Sequence, residues 1–154
     1  MQLNLPESDI QIRENDRGAR SVYDPIRSKW VALTPEEWVR QNFVVFLQAY
    51  RGFPKELMAN EISLHLNGLS RRCDTVVFDR RLKPLVIVEY KAPAVALTQK
   101  VFDQIARYNI VMNAPYLIVS NGLKHYCCRF GGCSAGGYVF LRDIPCFSEL
   151  VQNI

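Results

Sequence analysis

Residues 73–93, CDTVVFDRRLKPLVIVEYKAP, constrain the fold more than any other part of the chain. Two apolar segments, 73–79 and 85–91, flank a charged turn that ends at Pro84. A short turn between two such segments predicts an antiparallel hairpin. The second segment contains LVIV, and a run of consecutive apolar residues is typical of a strand covered on both faces. We therefore expect this hairpin at the centre of a sheet.

A helix is predicted upstream of the hairpin. Thr34, Pro35 and Glu37 have the spacing of an N-cap residue, a first-turn proline and a capping-box glutamate. Apolar residues then recur at intervals of three and four, which is the period of one helix face. Gly52 and Pro54 predict the end of the helix.

The elements around the hairpin define the fold class. Alternation in residues 61–66 predicts a strand before the hairpin, and a second helix is expected at about 99–112. Residues 114–130 predict two further strands. A glycine-rich loop (131–137), a short strand and a terminal helix fragment follow. This order predicts an α/β fold with an αβββαβ core, in which helices flank a central mixed sheet.

Length and composition set the domain organisation. A chain of 154 residues fits one domain, and 49% hydrophobic with 22% charged residues is ordinary for a globular protein. We interpret residues 1–20 as an N-terminal arm and residues 21–154 as a single domain. The net charge of +4 permits a polyanionic partner.

The same features bear on cellular location. No apolar run reaches the roughly 18 residues of a membrane span, and the first residues lack the apolar stretch of a signal peptide. The five cysteines are an odd number without framework spacing, which suits a reducing compartment. We therefore expect a cytoplasmic protein without a membrane partner.

The central hairpin carries three charged residues at one end. If Asp79 pairs with Pro84, continuing the register places Asp74 opposite Glu89, and residues that are directly opposite share a face. Lys91 is two residues beyond Glu89 and therefore joins that face. The sequence predicts that two carboxylates and one ammonium group converge here.

Such a pair of carboxylates requires compensation. Two like charges at about 4 Å repel by about 4 kcal/mol at an effective dielectric constant near 20. Mg²⁺ prefers oxygen ligands and commonly binds one or two carboxylates, so a divalent cation is a natural solution. The alternative is a solvated Asp74 at a strand end and an exposed ion pair of Glu89 with Lys91.

The segment VVFDRRLKPLVIVEYK resembles the PD-(D/E)xK nuclease superfamily, with Cys73 in the place of the variable proline. Four segments extend the resemblance, in order, from about Tyr23 to Arg129. They are similar to the N-terminal nuclease domain family of type I restriction enzyme R subunits (HsdR-like). The segments are DPIRSKWVALTPEEWVRQNFVVFL, RRCDTVVFDRRLKPLVIVEYKAP, LTQKVFDQIARYN and PYLIVSNGLKHYCC.

The resemblance implies a restriction-endonuclease-like core and a site for Mg²⁺, for which Mn²⁺ can substitute. Asp74, Glu89 and Lys91 would be the catalytic residues. Asp74, Glu89 and the Tyr90 carbonyl would bind the metal, with Glu37 as a further candidate whose alternative role is helix capping.

Other residues are candidates for contact with the substrate. Gln104 and Tyr108 are four residues apart and therefore lie on one helix face. The resemblance implies that they form the family's Gln-xxx-Tyr motif, which positions substrate phosphates. The alternative is a core tyrosine with an unrelated glutamine. Arg40 and Arg72 are candidates for contacts with DNA phosphates.

These features predict a metal-dependent DNA endonuclease domain that is related to restriction and hydrolyses phosphodiester bonds. Its expected partners are DNA and a separate motor or specificity subunit, because the chain has no Walker lysine motif. Two alternatives remain. One is a catalytically inactive nucleic-acid-binding or assembly module with the same fold, and the other is a structural domain whose charges form ion pairs.

Overall fold

A computed structural model describes residues 2–131 and 137–152, so most of the predicted glycine-rich loop lies outside the described residues. Three α-helices form within these ranges: α1 (Pro35–Arg51), α2 (Gln99–Met112) and α3 (Phe147–Gln152). The strands there are β1 (Ile12–Glu14), β2 (Arg20–Asp24), β3 (Lys29–Ala32), β4 (Met58–Leu66), β5 (Leu69–Phe78), β6 (Pro84–Tyr90), β7 (Tyr116–Ser120), β8 (His125–Phe130) and β9 (Tyr138–Phe140).

The main sheet has six strands in the order β4-β5-β6-β7-β8-β9. Neighbouring strands are antiparallel except β6 and β7, which are parallel. A parallel pair requires a crossover, and α2 provides it between these two strands. The predicted mixed α/β fold and its αβββαβ order are confirmed.

Strand β6 lies between two apolar layers. Residues 85–88 are at most 1% exposed, which confirms the prediction of a strand covered on both faces. Val86 and Val88 pack in the layer that contains α1, whereas Ile87 packs in the layer that contains α2. The helix residues buried in these layers include Val39, Phe43, Leu47, Phe102, Ile105 and Ala106.

Helix α1 begins as its sequence predicts, but only half of the capping box forms. The Thr34 hydroxyl accepts a hydrogen bond from the Glu37 N–H at 3.0 Å. The reciprocal hydrogen bond of a capping box would run from the Thr34 N–H to the Glu37 side chain. Here the Thr34 N–H donates to the Ala32 carbonyl instead. The Glu37 carboxylate instead forms salt bridges with the side chains of Arg27 and Arg40.

The predicted register of the central hairpin holds along the strands, although the pair from which it was inferred is wrong. Pro84 pairs with Phe78, not with Asp79, and a bulge follows Val77. Asp79 closes the turn, because its carboxylate accepts the N–H groups of Arg81 and Lys83. The bulge restores the register, so Thr75 pairs with Val88 as expected.

The N-terminal segment makes specific contacts with the rest of the chain. The Asn4 N–H donates to the Gly122 carbonyl at 2.8 Å, and the Asn4 carbonyl contacts His125 Nε2 at 2.9 Å. Ser8 donates to the Asn42 side chain. Strand β1 also falls within residues 1–20 and pairs with β2. The expected arm is thus attached at several points, and strands β1 to β3 form a separate small sheet. Within the described residues, no helix is long and apolar enough to cross a membrane.

Candidate active site

Asp74 lies where β5 becomes irregular. The pairing of β4 with β5 continues on both sides of Glu61 and Asp74 but omits that pair, and Glu61 has a φ of 56°. A positive φ is uncommon for a residue other than glycine. Cys73 and Val76 pack in the same apolar layer, although regular alternation would place them on opposite faces. The strand therefore changes the face it presents at Asp74.

Two contacts hold Asp74 at the end of its pairing with β6. Its Oδ2 accepts the Tyr90 N–H at 2.9 Å. Its carbonyl accepts from Arg40 Nη1 at 2.6 Å. The side-chain contact fixes the carboxylate of Asp74 against the backbone that follows Glu89.

Glu89 is the other carboxylate of the predicted pair, and its side chain is 11% exposed. Burial and then repulsion by Asp74 raise the pKa of Glu89 to about 9, and a side-chain hydrogen bond with Asp74 adds to this rise. Arg71 and Lys91 lower the pKa of Glu89 but do not outweigh the other causes. The carboxyl groups of Asp74 and Glu89 are therefore close enough to interact.

Lys91 follows β6 directly and is partly buried. Its N–H donates to the Ser120 carbonyl at 2.9 Å, which extends the parallel pairing of β6 with β7 by one bond. The ammonium group is close enough to Glu89 to lower the pKa of that carboxyl. Among the described residues it has no carboxylate within salt-bridge distance.

Arg71 is a member of the site that the sequence did not predict. Its Nη2 donates to Glu89 Oε1 at 2.6 Å, and its guanidinium group lies 5.3 Å from the centre of the Tyr108 ring. One sequence signal could have identified it. The Asn67-Gly68 turn pairs Leu64 with Arg71, so this cation interrupts an otherwise apolar strand face.

Gln104 and Tyr108 lie on the outer surface of α2. Tyr108 is 55% exposed, which contradicts the alternative of a core tyrosine. Both residues line one open groove on the surface of α2, together with Lys100, Asp103 and Arg107, and all five residues belong to this helix. Arg71 connects this groove to Glu89, because the guanidinium group contacts both Tyr108 and the carboxylate.

Arg40 is buried among carboxylates of the protein, whereas the sequence predicted that it contacts DNA phosphates. Its side chain is 9% exposed and forms salt bridges with Glu37 and Glu61 in addition to its bond with the Asp74 carbonyl. Burial alone would lower the pKa of Arg40, but the two carboxylates raise it further above its usual range. All three guanidinium nitrogens of Arg40 thus already donate to acceptors within the protein.

The other two candidates in this region have different environments. Glu37 is buried, and its two carboxylate oxygens accept from Arg27, Arg40 and Gln41. A metal ion could bind Glu37 only by displacing these donors, so we leave it out of the proposed ligand set. Arg72 pairs with Glu61 and is 67% exposed, so it remains available to a phosphate.

A series of buried hydrogen bonds links Tyr90 to Asp24 and supports the site. The Tyr90 hydroxyl donates to Thr75, and the Thr75 hydroxyl donates to the Asn60 side chain at 2.7 Å. Asn60 donates in turn to Asp24, which also forms a salt bridge with Arg27. Burial alone would raise the pKa of Asp24, but these donors lower it below the ordinary value. These hydrogen bonds fix the Tyr90 side chain beneath the backbone that carries Glu89 and Lys91.

The donor set suits a hard divalent cation. Burial and then repulsion by the neighbouring Asp74 raise the pKa of Glu89, and the Tyr90 carbonyl lies in the same backbone segment as Glu89. These are oxygen ligands of the kind Mg²⁺ binds, usually together with water and phosphate. No cluster of three or more His, Cys, Asp and Glu side chains suited to a metal occurs in the described part of the chain. A cation here would therefore depend on the Asp74–Glu89 pair.

The raised pKa of Glu89 predicts how stability depends on pH when no cation is present. Between about pH 4.5 and 9 the folded protein retains a proton on Glu89 that the unfolded chain releases, so stability falls as pH rises. Glu89→Gln removes this titration. With EDTA present, we expect the variant to match the wild type near pH 5 and to exceed it by about 1–3 kcal/mol at pH 8.5.

Urea unfolding of both proteins across this pH range measures the difference. Glu56→Gln is the control, because Glu56 is 67% exposed in its salt bridge with Arg80. The control should have the same pH profile as the wild type. A Glu89→Gln variant that is no more stable than the wild type at pH 8.5 would contradict the expectation.

The fold and the site together define a class of protein. A mixed sheet flanked by helices, with Asp74 within one central strand and Glu89 near the end of the next, is a restriction-endonuclease-like core. The chain belongs to the family described as the type I restriction enzyme R protein N terminus (HSDR_N), whose model matches residues 35–145. The predicted resemblance is confirmed, although the match begins after Tyr23 and continues beyond Arg129. No individual curated protein matches the chain significantly.

Proposed function

We propose that this domain is a divalent-cation-dependent DNA endonuclease that hydrolyses phosphodiester bonds in a restriction-related system. The proposal is carried by the placement of Asp74, whose carboxylate accepts the N–H of the residue after Glu89, together with the electrostatic influence of Asp74 and Lys91 on Glu89. Membership of a restriction enzyme family supports it. DNA would be the substrate, and a separate motor or specificity subunit would be the partner.

Asp74, Glu89 and the Tyr90 carbonyl would hold Mg²⁺ or Mn²⁺. When bound, such a cation supplies Lewis-acid polarisation of a phosphate oxygen. Asp74 keeps its orientation through the Tyr90 N–H, and the series of buried hydrogen bonds from Tyr90 to Asp24 supports the same backbone segment. These contacts position the ligands before the substrate binds, which reduces the reorganisation that the reaction requires.

Lys91 acts as the cationic group of the reaction. Its ammonium group is close enough to Glu89 to lower the pKa of that carboxyl and has no salt bridge among the described residues, so we expect it to orient a water molecule toward the phosphate. It also stabilises negative charge that develops on the phosphate oxygens. Lys91 performs both roles while protonated.

Gln104 and Tyr108 position the substrate. Both lie exposed on one groove of α2, and Tyr108 reaches Arg71 at the carboxylate pair. An amide and a phenol hydroxyl can donate hydrogen bonds to phosphate oxygens. The groove also contains Lys100 and Arg107, whose charges favour a polyanion.

One observation favours the inactive alternative. The guanidinium group of Arg71, whose Nη2 lies 2.6 Å from Glu89 Oε1, already places a positive charge beside the carboxyl pair. In a binding module without activity this pair would be permanent, and no cation would be needed. Cation binding therefore separates the two functions.

The test combines Asp74→Asn with the control Asp79→Asn. Asp79 lies beyond the opposite end of β5, where its Oδ1 closes the turn, and asparagine retains that acceptor. We expect Mg²⁺ and Mn²⁺ to stabilise the wild type and the control, by about 2.7 kcal/mol at 100 times the dissociation constant. Asp74→Asn should lose both this stabilisation and the nicking of supercoiled plasmid DNA.

Thermal unfolding with each cation and a plasmid nicking assay provide the measurements. A wild-type protein that neither gains stability with Mg²⁺ or Mn²⁺ nor nicks DNA would refute the nuclease proposal. Unchanged nicking by Asp74→Asn would refute the site.

A further inference from the structure

Arg71 lies at the carboxylate pair but has no role in the proposed reaction. Its guanidinium group lies between the Glu89 carboxylate and the face of the Tyr108 ring. The side chain is 17% exposed, so the charge is largely removed from water. A positive charge in this position weakens the binding of a cation at Glu89, because the two positive charges repel each other and both need the same carboxyl oxygens.

The hydrogen bonds of Arg71 are incomplete. Nη2 donates to Glu89, but Nη1 is buried and has no acceptor among the described residues. A buried donor without a partner costs about 1–3 kcal/mol, so its position calls for an acceptor from elsewhere. The unpaired donor lies on the group that joins the carboxylate pair to the groove of Tyr108.

The chemistry of this donor indicates an anion with several oxygens. A guanidinium group presents a planar set of donors that matches a phosphate in a bidentate manner. The groove that contains Tyr108 also contains Lys100, Gln104 and Arg107, which are two cations and a neutral amide that suit a phosphodiester backbone. Asp103 is the acidic residue of the groove, and its carboxylate is bonded to Gln99 and Tyr138.

We propose that Arg71 exchanges partners, binding Glu89 in the cation-free protein and a DNA phosphate when a divalent cation occupies the carboxylate pair. This inference rests on the proposed function, since it requires that Asp74 and Glu89 bind the cation. The exchange couples the two ligands. The cation releases Arg71 from Glu89, and the released guanidinium group gains a phosphate as acceptor for Nη1.

The coupling predicts effects of opposite sign when Arg71 is replaced. Arg71→Met removes the competitor for Glu89, so Mn²⁺ alone should bind about three- to tenfold more tightly. The same variant loses charged hydrogen bonds to phosphate, so a short DNA duplex should bind about 10- to 100-fold more weakly in the presence of Ca²⁺. A residue with a purely structural role would weaken both when removed.

Two further variants complete the experiment. Arg71→Lys keeps the charge but not the planar pair of donors, so Mn²⁺ affinity should stay near that of the wild type while DNA affinity falls. Both affinities can also be measured with Arg71→Lys if Arg71→Met does not fold. Arg81→Met removes an exposed arginine from the β5–β6 turn and should change neither affinity by more than about twofold.

Calorimetry with Mn²⁺ and fluorescence anisotropy of a labelled duplex measure the two affinities. Weaker binding of both ligands by Arg71→Met, or unchanged binding of DNA, would overturn the partner exchange. Unchanged DNA affinity would mean that buried water satisfies Nη1. These outcomes differ from failure of the proposed function, in which the wild type itself neither binds Mn²⁺ nor nicks plasmid DNA.

Discussion

Replacement of Lys91 by methionine is expected to lower the rate of plasmid nicking by about 100- to 1,000-fold, which is typical for loss of one group that stabilises a transition state. Methionine keeps most of the apolar stem but removes the ammonium group. The partly buried position of Lys91 next to the carboxylate pair makes that charge effective, because less solvent screens it.

The effect of Lys91→Met should be confined to the chemical step. Asp74 and Glu89 remain in place, so stabilisation by Mg²⁺ should persist and could increase, since one positive charge near the pair is lost. Single-turnover nicking separates the chemical step from DNA binding. Loss of cation binding in step with activity would instead indicate a collapsed site.

Lys83→Met is the matched control for this experiment. Lys83 precedes β6 as Lys91 follows it, and it is exposed at the other end of the strand. Its replacement removes the same charge from the protein without approaching the carboxylates. Nicking by this variant should remain within about threefold of the wild type, since long-range effects of an exposed charge are screened by salt. A comparable loss of activity in both variants would show that net charge, rather than position, determines the rate.

The largest effect on stability is expected for Arg40→Met, at about 3–5 kcal/mol, the usual cost of leaving a buried charge without its partner. Three acceptors would lose this donor at once, namely the carboxylates of Glu37 and Glu61 and the carbonyl of Asp74. Methionine fills much of the same volume, so the change measures the lost ion pairs more than a cavity.

Arg72→Met provides the comparison, because Arg72 binds the same Glu61 from the solvent side. Its side chain is 67% exposed whereas that of Arg40 is 9% exposed. An exposed ion pair contributes only about 0–1 kcal/mol, and the variant should unfold in urea at nearly the wild-type midpoint. Equal stability of the two variants would contradict the assignment of Arg40 as a buried structural cation.

Local sequence determined the elements that bear on the site. The Thr34 cap and Pro35 specify where α1 begins, because capping requires only neighbouring groups. LVIV specifies a central strand, because a run without polar residues must be covered on both faces. The register that brings Asp74 to Glu89 is also largely local, since a short turn leaves few ways to pair two strands. The predicted register holds beyond the turn because the bulge after Val77 compensates for the pairing of Pro84 with Phe78 instead of Asp79.

Contacts between distant segments could not be inferred in this way. The sequence left a core position open as the alternative for Tyr108, whereas the fold leaves this residue exposed over Arg71. Arg40 was a candidate for contact with DNA phosphates, but its side chain is buried and paired with Glu37 and Glu61. The attachment of Asn4 to the β7–β8 turn joins segments more than 100 residues apart. None of these partners is a neighbour in sequence.

The sequence by itself therefore determined the type of fold and the three charged residues at the end of one hairpin, because helix caps, strand periodicity and short turns are local properties. Only the tertiary structure decided which arginine side chains bind these charged residues. Arg71 reaches Glu89 and Arg40 reaches Asp74 because packing of β4, β5 and α1 brings their side chains together. Burial then determines which of these ion pairs are strong, since the energy of a charge depends on how much solvent the complete fold excludes.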